Sequence, residues 1–239
     1  AFAFSKAGVS LSYTPWLRKL GNDVAVVNLS GYYKLGQSDM QAIGASVRYF
    51  TLGEVSERQD MGQGSVLTLN PYEMAVDVSY SRKLSEAYSM AVALRFIRSD
   101  MGASADDDMV PDNAFAADIA GYLEKYVILG QSEALWSFGF NISNIGTKVS
   151  YDGGNTNQFL PTKLSLGTGL LYPLDDYNQI ALYVDLSKYL VPTAPIQTGS
   201  TAEEIEEYNQ KYEDYNNMSP ITGIFKSFSD APTKEERFS

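Results

Sequence analysis

Residues 73–98, EMAVDVSYSRKLSEAYSMAVALRFIR, decide the fold class of this chain. Apolar side chains alternate with polar or small ones along its first part, a short polar turn follows, and the alternation then resumes. A period of two predicts β-strands, here 73–83 and 87–98, joined as a hairpin by the turn at 84–86. Each strand has about ten residues, which is the length that a tilted β-strand needs to cross a bilayer.

The same alternation recurs along the chain, and the predicted strands therefore also include 7–14, 24–35, 41–52, 114–126, 134–144, 163–172 and 178–190. The connections between strands alternate between short and long. The short ones are 36–40, 84–86, 173–177 and a less tight turn near 127–133, and the long ones are 53–72, 99–113, 145–162 and 191–239, with a modest loop at 15–23. Transmembrane β-barrels sort their connections in this way, with tight turns in the periplasm and long loops outside. We therefore predict an all-β protein, an antiparallel transmembrane β-barrel in the bacterial outer membrane.

Nine strands do not complete such a barrel, because single-chain bacterial barrels have even strand numbers. Two unpaired sheet edges would lie in lipid, where each unsatisfied backbone group costs roughly several kcal/mol. We therefore expect further strands after Ser239 and further sequence before Ala1. On this interpretation residues 1–239 form a single, partial barrel domain.

One segment departs from the β pattern. The sequence Thr201-Ala202-Glu203-Glu204 has the spacing of a helix capping box, and Ile205, Tyr208, Tyr212 and Tyr215 follow at helical spacing. These features predict a helix from about 202 to 217 within the exterior loop 191–239. The three tyrosines would either bind a partner or pack on the rim of the barrel, and both alternatives remain open.

Four charged residues lie on strand faces that the alternation turns away from lipid: Arg48, Asp77, Arg95 and Asp118. They belong to successive strands and lie at similar distances from the short turns. This arrangement predicts a ladder of alternating charge on the lumenal wall of the barrel. The ladder would stabilise the wall or, alternatively, act as a selectivity element.

Composition excludes several classes of function. The chain has no cysteine and no histidine, which removes disulfides, thiolate metal sites, cysteine nucleophiles and imidazole catalysts. We therefore predict no catalytic residue, no metal, no cofactor and no enzymatic activity. The formal net charge of −11 argues against binding of nucleic acid, whose phosphates need a basic surface. No run of apolar residues is long enough for a membrane-spanning helix.

The acidic run Asp106-Asp107-Asp108 lies in the long connection 99–113. Such a run could bind a hard divalent cation, but it lacks the alternating ligands and the glycine of a dedicated calcium loop. We favour a solvated exterior loop, which makes these aspartates candidates for contact with a partner.

Several segments resemble one protein family: SLSYTPWL at 10–17, NISNIG at 141–146, LPTKL at 160–164, DLSKYLVP at 185–192 and GIFKSFSDAP at 223–232. They are similar to the PorV family, the FadL-like outer-membrane barrels of the type IX secretion system of Bacteroidetes. The resemblance implies a complete barrel of about 14 strands, which is an even number as barrel closure requires.

The resemblance also implies a function. Members of this family would take secreted cargo from the secretion translocon by its C-terminal signal domain and carry it to the surface attachment complex. There a signal peptidase would remove the signal and the cargo would be joined to lipopolysaccharide, so the chemistry belongs to a partner. The alternative is a FadL-like channel or transporter for hydrophobic small molecules, which would need an apolar lumen rather than Arg48, Asp77, Arg95 and Asp118.

Overall fold

The computed structural model describes residues 5–16, 24–36, 40–58, 66–101, 110–154 and 156–230. The strands in these ranges are β1 (Ala7–Pro15), β2 (Val24–Leu35), β3 (Gln41–Leu52), β4 (Val55–Arg58), β5 (Val66–Leu69), β6 (Tyr72–Lys83), β7 (Tyr88–Asp100), β8 (Asp112–Leu129), β9 (Ser132–Gly146), β10 (Lys148–Val149), β11 (Gln158–Phe159), β12 (Lys163–Pro173) and β13 (Gln179–Tyr189). The helices are α1 (Ala202–Asn217) and α2 (Pro220–Lys226).

The long strands form one nine-stranded sheet in the order β1-β2-β3-β6-β7-β8-β9-β12-β13, with β1 and β13 at its two ends. All nine predicted strands belong to this sheet, and the all-β prediction is confirmed. Four short strands and α2 are additional. Strands β4 and β5 pair as a small antiparallel sheet between β3 and β6, and β10 pairs with β11 between β9 and β12.

The turn between β8 and β9 is tighter than the sequence predicts. Strand β8 continues to Leu129 and β9 begins at Ser132, so only two residues connect them. Gly130 occupies the first position with a φ of 65°, and two-residue hairpins require positive φ there. The prediction of a loose turn near 127–133 is therefore wrong, because Gly130 permits the left-handed backbone that a tight hairpin needs.

The chain divides into two compact units. One contains Ala1–Tyr80, Ala93–Ala116 and Thr147–Gln158, and the other contains Ser81–Val92, Ala117–Gly146 and Phe159–Ser239. In the first unit, β1, β2 and β3 pair antiparallel in one continuous register. Residues directly opposite one another share a face of the sheet, so Leu11, Leu29 and Val47 form an apolar row. The next row, on the other face, is polar and consists of Ser12, Asn28 and Arg48.

The second unit repeats this division of faces in β9, β12 and β13. Phe140, Leu166 and Leu186 lie opposite one another on the apolar face. Asn141, Ser165 and Ser187 form the neighbouring row on the polar face. We call these surfaces the apolar face and the polar face of each unit.

The apolar faces are exposed. Val9 is 81% exposed and Leu11 70% in the first unit, and Leu182 and Leu186 are each 68% exposed in the second. Among the described residues, the buried apolar side chains are mostly alanines, and none of the large side chains is fully buried. A water-soluble sheet covers its apolar face with a second layer of structure. No layer of the described residues covers these faces, so they require an apolar environment that other molecules or other parts of the chain supply.

Helix α1 begins where the capping box predicts. The Thr201 backbone N–H donates to Glu204 Oε2 (3.0 Å), and the Glu204 N–H donates to Thr201 Oγ1 (3.4 Å). The hydroxyl of Thr201 also donates to Glu204, which lowers the pKa of that carboxyl. Helix α2 begins at the N-cap Ser219 with Pro220 as its first residue. Neither helix of the described chain has the length and apolar composition that a membrane-spanning helix requires.

We predict that a methyl group is tolerated at Gly139 and not at Gly121. A Cβ atom at Gly121 would lie 2.3 Å from Cε1 of Phe140 and 2.9 Å from the hydroxyl of Tyr88, whereas at Gly139 its nearest neighbour would lie 3.7 Å away. Gly121→Ala should lower the free energy of unfolding by about 1–3 kcal/mol through overpacking. Gly139→Ala is the matched control and should leave it unchanged or slightly higher. Denaturant titration measures both, and equal effects would contradict the packing argument.

Candidate functional site

Within each unit the long connections emerge at one end of its strands, and these long-connection ends are the candidate sites. Structured elements occupy three of these connections: β4 and β5 between β3 and β6, β10 and β11 between β9 and β12, and both helices after β13. Loops held by a rigid scaffold commonly carry binding functions. The contacts that order these connections therefore determine which side chains are free to bind.

A cluster of hydrogen bonds around Asn144 holds the long-connection end of β9. Asn144 has a φ of 59°, and its backbone N–H donates to Asp118 Oδ1 (2.8 Å). Its side-chain amide donates to the carbonyl of Pro161 (3.2 Å), and its own carbonyl accepts from Thr162 Oγ1 (2.7 Å). The carbonyl of the buried Thr162 accepts from the N–H of Leu190 (2.7 Å). The end of β9, the start of β12 and the end of β13 are thereby tied together.

The segment after β13 is anchored on one aromatic side chain, Phe159 of β11. The ring of Tyr215 in α1 packs edge-on against the ring of Phe159, with centroids 5.2 Å apart. Gly223 in α2 is buried against the same ring, where a Cβ atom would lie 2.7 Å from Cε1 of Phe159. Both helices therefore dock on the connection between β9 and β12, and close approach of α2 requires glycine at 223.

The tyrosine stripe of α1 has two parts. Tyr215 packs on Phe159, and its burial raises the pKa of its hydroxyl. Tyr208 and Tyr212 contact each other, with ring centroids 5.9 Å apart, and both remain partly exposed. Tyr215 therefore packs on the connection between β9 and β12, while packing on a barrel rim and partner binding by Tyr208 and Tyr212 remain predictions.

A group of exposed apolar side chains follows α1, on α2 and the turn after it, and α2 is a helix that the sequence reasoning missed. Ile221 is 64% exposed and Phe225 73%, and their spacing of four residues places them on one face of α2. Phe228 is 52% exposed and lies in the turn that follows the helix. The pair Ser219-Pro220 was the available signal, because serine caps helices and proline favours the first helical position.

Acidic side chains of α1 precede this apolar patch in sequence. Helix α1 carries one basic residue, Lys211, against six acidic ones, namely Glu203, Glu204, Glu206, Glu207, Glu213 and Asp214. Lys211 pairs with Glu207 at an N–O distance of 2.6 Å. The segment therefore combines a free apolar patch with a strong negative charge.

The connection after β10 is ordered by its own polar side chains. Asp152 Oδ1 accepts from the N–H of Thr156 and from Ser150 Oγ, both at 2.8 Å. Hydrogen bonds from Thr156 lower the pKa of Asp152 to about 2, and the bond from the Thr156 side chain has the largest effect. Tyr151 donates its hydroxyl to Ser99 Oγ (2.9 Å) at the end of β7. The loop is thus fixed both internally and to a neighbouring strand end.

On the polar face of the first unit, the carboxylate of Asp77 accepts hydrogen bonds from two side chains. Its Oδ1 accepts from Nε of Arg95 at 2.5 Å, and its Oδ2 accepts from Ser46 Oγ at 3.0 Å. Arg48 lies on the same face, directly opposite Asn28. Asp77 and Arg95 therefore form an ion pair, and Asp118 contacts the backbone of Asn144 as described above, while the lumenal ladder stays a prediction.

The remaining predicted residues, Asp106, Asp107 and Asp108, lie outside the described residues. Within the described ranges, no three or more acidic side chains are grouped so that they could hold a metal ion.

We predict strong coupling between Asp77 and Arg95. Their side chains are only 14% and 19% exposed, so each single alanine variant leaves a poorly solvated charge without its partner. A double-mutant cycle on the free energy of unfolding should give a coupling of about 1–3 kcal/mol. The pair Glu207–Lys211 is a control at similar distance but more than 60% exposed, and its coupling should be below about 0.5 kcal/mol. Equal coupling in the two cycles would contradict the argument that low exposure strengthens the Asp77–Arg95 pair.

We also predict that the 150–156 loop keeps its order in mild acid. Because the pKa of Asp152 falls from 3.8 to about 2 in the folded chain, its contribution is complete above pH 4 or so and is lost as the pH falls through about 2. The amide chemical shift of Thr156, followed by NMR, should titrate near pH 2. Asp152→Asn should abolish this titration, and a midpoint near 4 in the unchanged protein would contradict the hydrogen-bonding argument.

Comparisons with known proteins identify the family. A family model described as Type IX secretion system protein PorV matches residues 1–196 of the 239, a range that ends before α1. A comparison with curated proteins returned no match. The matched range contains all nine long strands and the hydrogen-bond cluster around Asn144. The chain belongs to the PorV family of type IX secretion system proteins.

Proposed function

We propose that this chain is a non-catalytic, integral outer-membrane component of the type IX secretion system. Its sheet forms part of a transmembrane β-barrel, with the apolar faces in lipid and the long-connection end at the cell exterior. It binds the C-terminal signal domain of secreted cargo and carries it from the translocon to the surface attachment complex. The observation that carries the proposal is the exposure of apolar faces on strands of bilayer-crossing length, in a member of a secretion-component family.

Aromatic residues near both ends of the apolar face support the membrane placement. In the first unit, Tyr49 stacks on Tyr72 near the long-connection end, with ring centroids 5.6 Å apart. Tyr33 and Tyr80 lie near the short turns on the same face. Transmembrane barrels carry such aromatic girdles at both interfaces, because tyrosine has an apolar ring and a polar hydroxyl.

The polar faces favour cargo transport over the alternative of a channel for hydrophobic molecules. Asp77, Arg95 and Ser46 occupy the face that would line the lumen. A transporter of hydrophobic molecules would need an apolar pocket on that face. The described polar rows instead suit a wall held together by ion pairs and hydrogen bonds.

The helical segment suits recognition of a protein partner. Interfaces concentrate energy in a few buried aromatic or aliphatic side chains within a polar rim. Phe225 and Ile221 would be such anchors, and the acidic residues of α1 would select a partner with basic groups around an apolar patch. The cargo signal domain, the translocon and the signal peptidase of the attachment complex are the proposed partners, beside outer-membrane lipid and lipopolysaccharide.

We predict that Phe225→Ser weakens binding of a purified cargo signal domain by tenfold or more, because it removes a central apolar anchor (about 1.4 kcal/mol per tenfold). Tyr177→Ser is the matched control, since Tyr177 is 95% exposed in the turn between β12 and β13, at the opposite end of the strands. Surface plasmon resonance with the detergent-solubilised protein measures both. Unchanged binding by Phe225→Ser together with unchanged binding after deletion of 202–226 would contradict the assignment of this surface.

A further inference from the structure

The apolar face of β1, β2 and β3 contains a groove of about 520 Å³. Its floor is the row formed by Val9, Gly31 and Ala45, which lie directly opposite one another. Gly31 has no side chain and Ala45 has only a methyl group, so the surface is depressed along this row. The walls are larger side chains from neighbouring rows and from β6: Leu29, Val47, Tyr33, Ile43 and Val78. The lining of the groove is almost entirely apolar, which suits a hydrocarbon chain.

One end of the groove is polar. The Nζ atom of Lys6 lies 5.8 Å from the ring centroid of Tyr33, and the side chain of Lys6 is exposed. On β6, two residues beyond Val78, Tyr80 donates its hydroxyl to Gln41 Oε1 (2.8 Å). Tyr33 and Gln41 flank the short turn between β2 and β3. A cation, an amide and a phenol hydroxyl therefore lie at the short-turn end of an otherwise apolar groove.

We propose that this groove binds one acyl chain of a glycerophospholipid, with the lipid phosphate at Lys6 and the side-chain amide of Gln41. The inference rests on the proposed membrane placement, in which the short turns face the periplasm. Apolar burial alone does not select a lipid, because hydrocarbon is as apolar as the groove. The groove would select a lipid in two ways: the acyl chain packs more closely against the depressed surface, and Lys6 attracts the head group.

The position of the polar end identifies the source of the lipid. Lys6 and Gln41 lie at the periplasmic boundary, where the outer membrane presents glycerophospholipids, and lipopolysaccharide would have its phosphates at the opposite boundary. An ammonium group acts as a point charge for an anionic head group. The site should therefore prefer phosphatidylglycerol to zwitterionic phosphatidylethanolamine.

The test uses the protein reconstituted in vesicles of phosphatidylethanolamine and phosphatidylglycerol, with a small fraction of either lipid carrying a diazirine on its acyl chain. After irradiation, mass spectrometry maps the labelled peptides. We expect label from phosphatidylglycerol to concentrate on residues 24–35 and 41–52. Ala45→Phe, which fills the floor of the groove, should reduce that label at least threefold. Val92→Phe, which adds the same ring to an exposed position of the apolar face outside the groove, should not reduce it.

A second variant isolates the head group. Lys6→Gln should retain the labelled peptides and lose the preference for phosphatidylglycerol over phosphatidylethanolamine. Even labelling of all lipid-facing strands, or unchanged label in Ala45→Phe, would overturn the lipid site and leave the membrane placement intact. A protein that stays outside the vesicles, with no strand labelled and full digestion by added protease, would overturn the proposed function and this inference together.

Discussion

The register of the sheet is the constraint on which the other features depend. Successive side chains of a strand point to opposite faces, so a slip of one residue would exchange the two faces completely. In β1, β2 and β3 the rows Leu11–Leu29–Val47 and Ser12–Asn28–Arg48 stay apart only because the register is unbroken. In the proposed membrane placement, a slip of one strand would put a charge such as Arg48 in lipid, at a cost of about 2–4 kcal/mol near the bilayer midplane.

With the register set, the connections at the two ends of the strands differ in length and structure. The short turns need only close hairpins, as Gly130 does with its positive φ. The long-connection end carries folded elements, and the contacts of Asn144 and Phe159 hold those elements in defined positions. This division suits the proposed function, in which the strands act as scaffold and the connections carry recognition.

Two exposed apolar surfaces of this chain differ in the polar and charged groups beside them. The groove over Gly31 and Ala45 lies on a strand face and ends at Lys6 and Tyr80, which suits a lipid with a charged head group. The patch of Ile221, Phe225 and Phe228 lies on α2 and the turn after it, following the acidic α1 in sequence, which suits a protein with basic groups. We therefore expect the two apolar surfaces to bind different neighbours, according to the charges at their edges.

Local rules let the sequence alone determine a large part of this protein. The period of two located the strands and their faces, the connection lengths indicated the two ends, and the capping box at Thr201 located α1. Each of these signals acts within a few residues. Tertiary structure alone decided which tyrosine packs, because Phe159 and Tyr215 are distant in sequence, and which apolar residues of α2 remain free. It also decided that Gly31 and Ala45 meet to form a groove, since cross-strand partners are set by register and not by any local pattern.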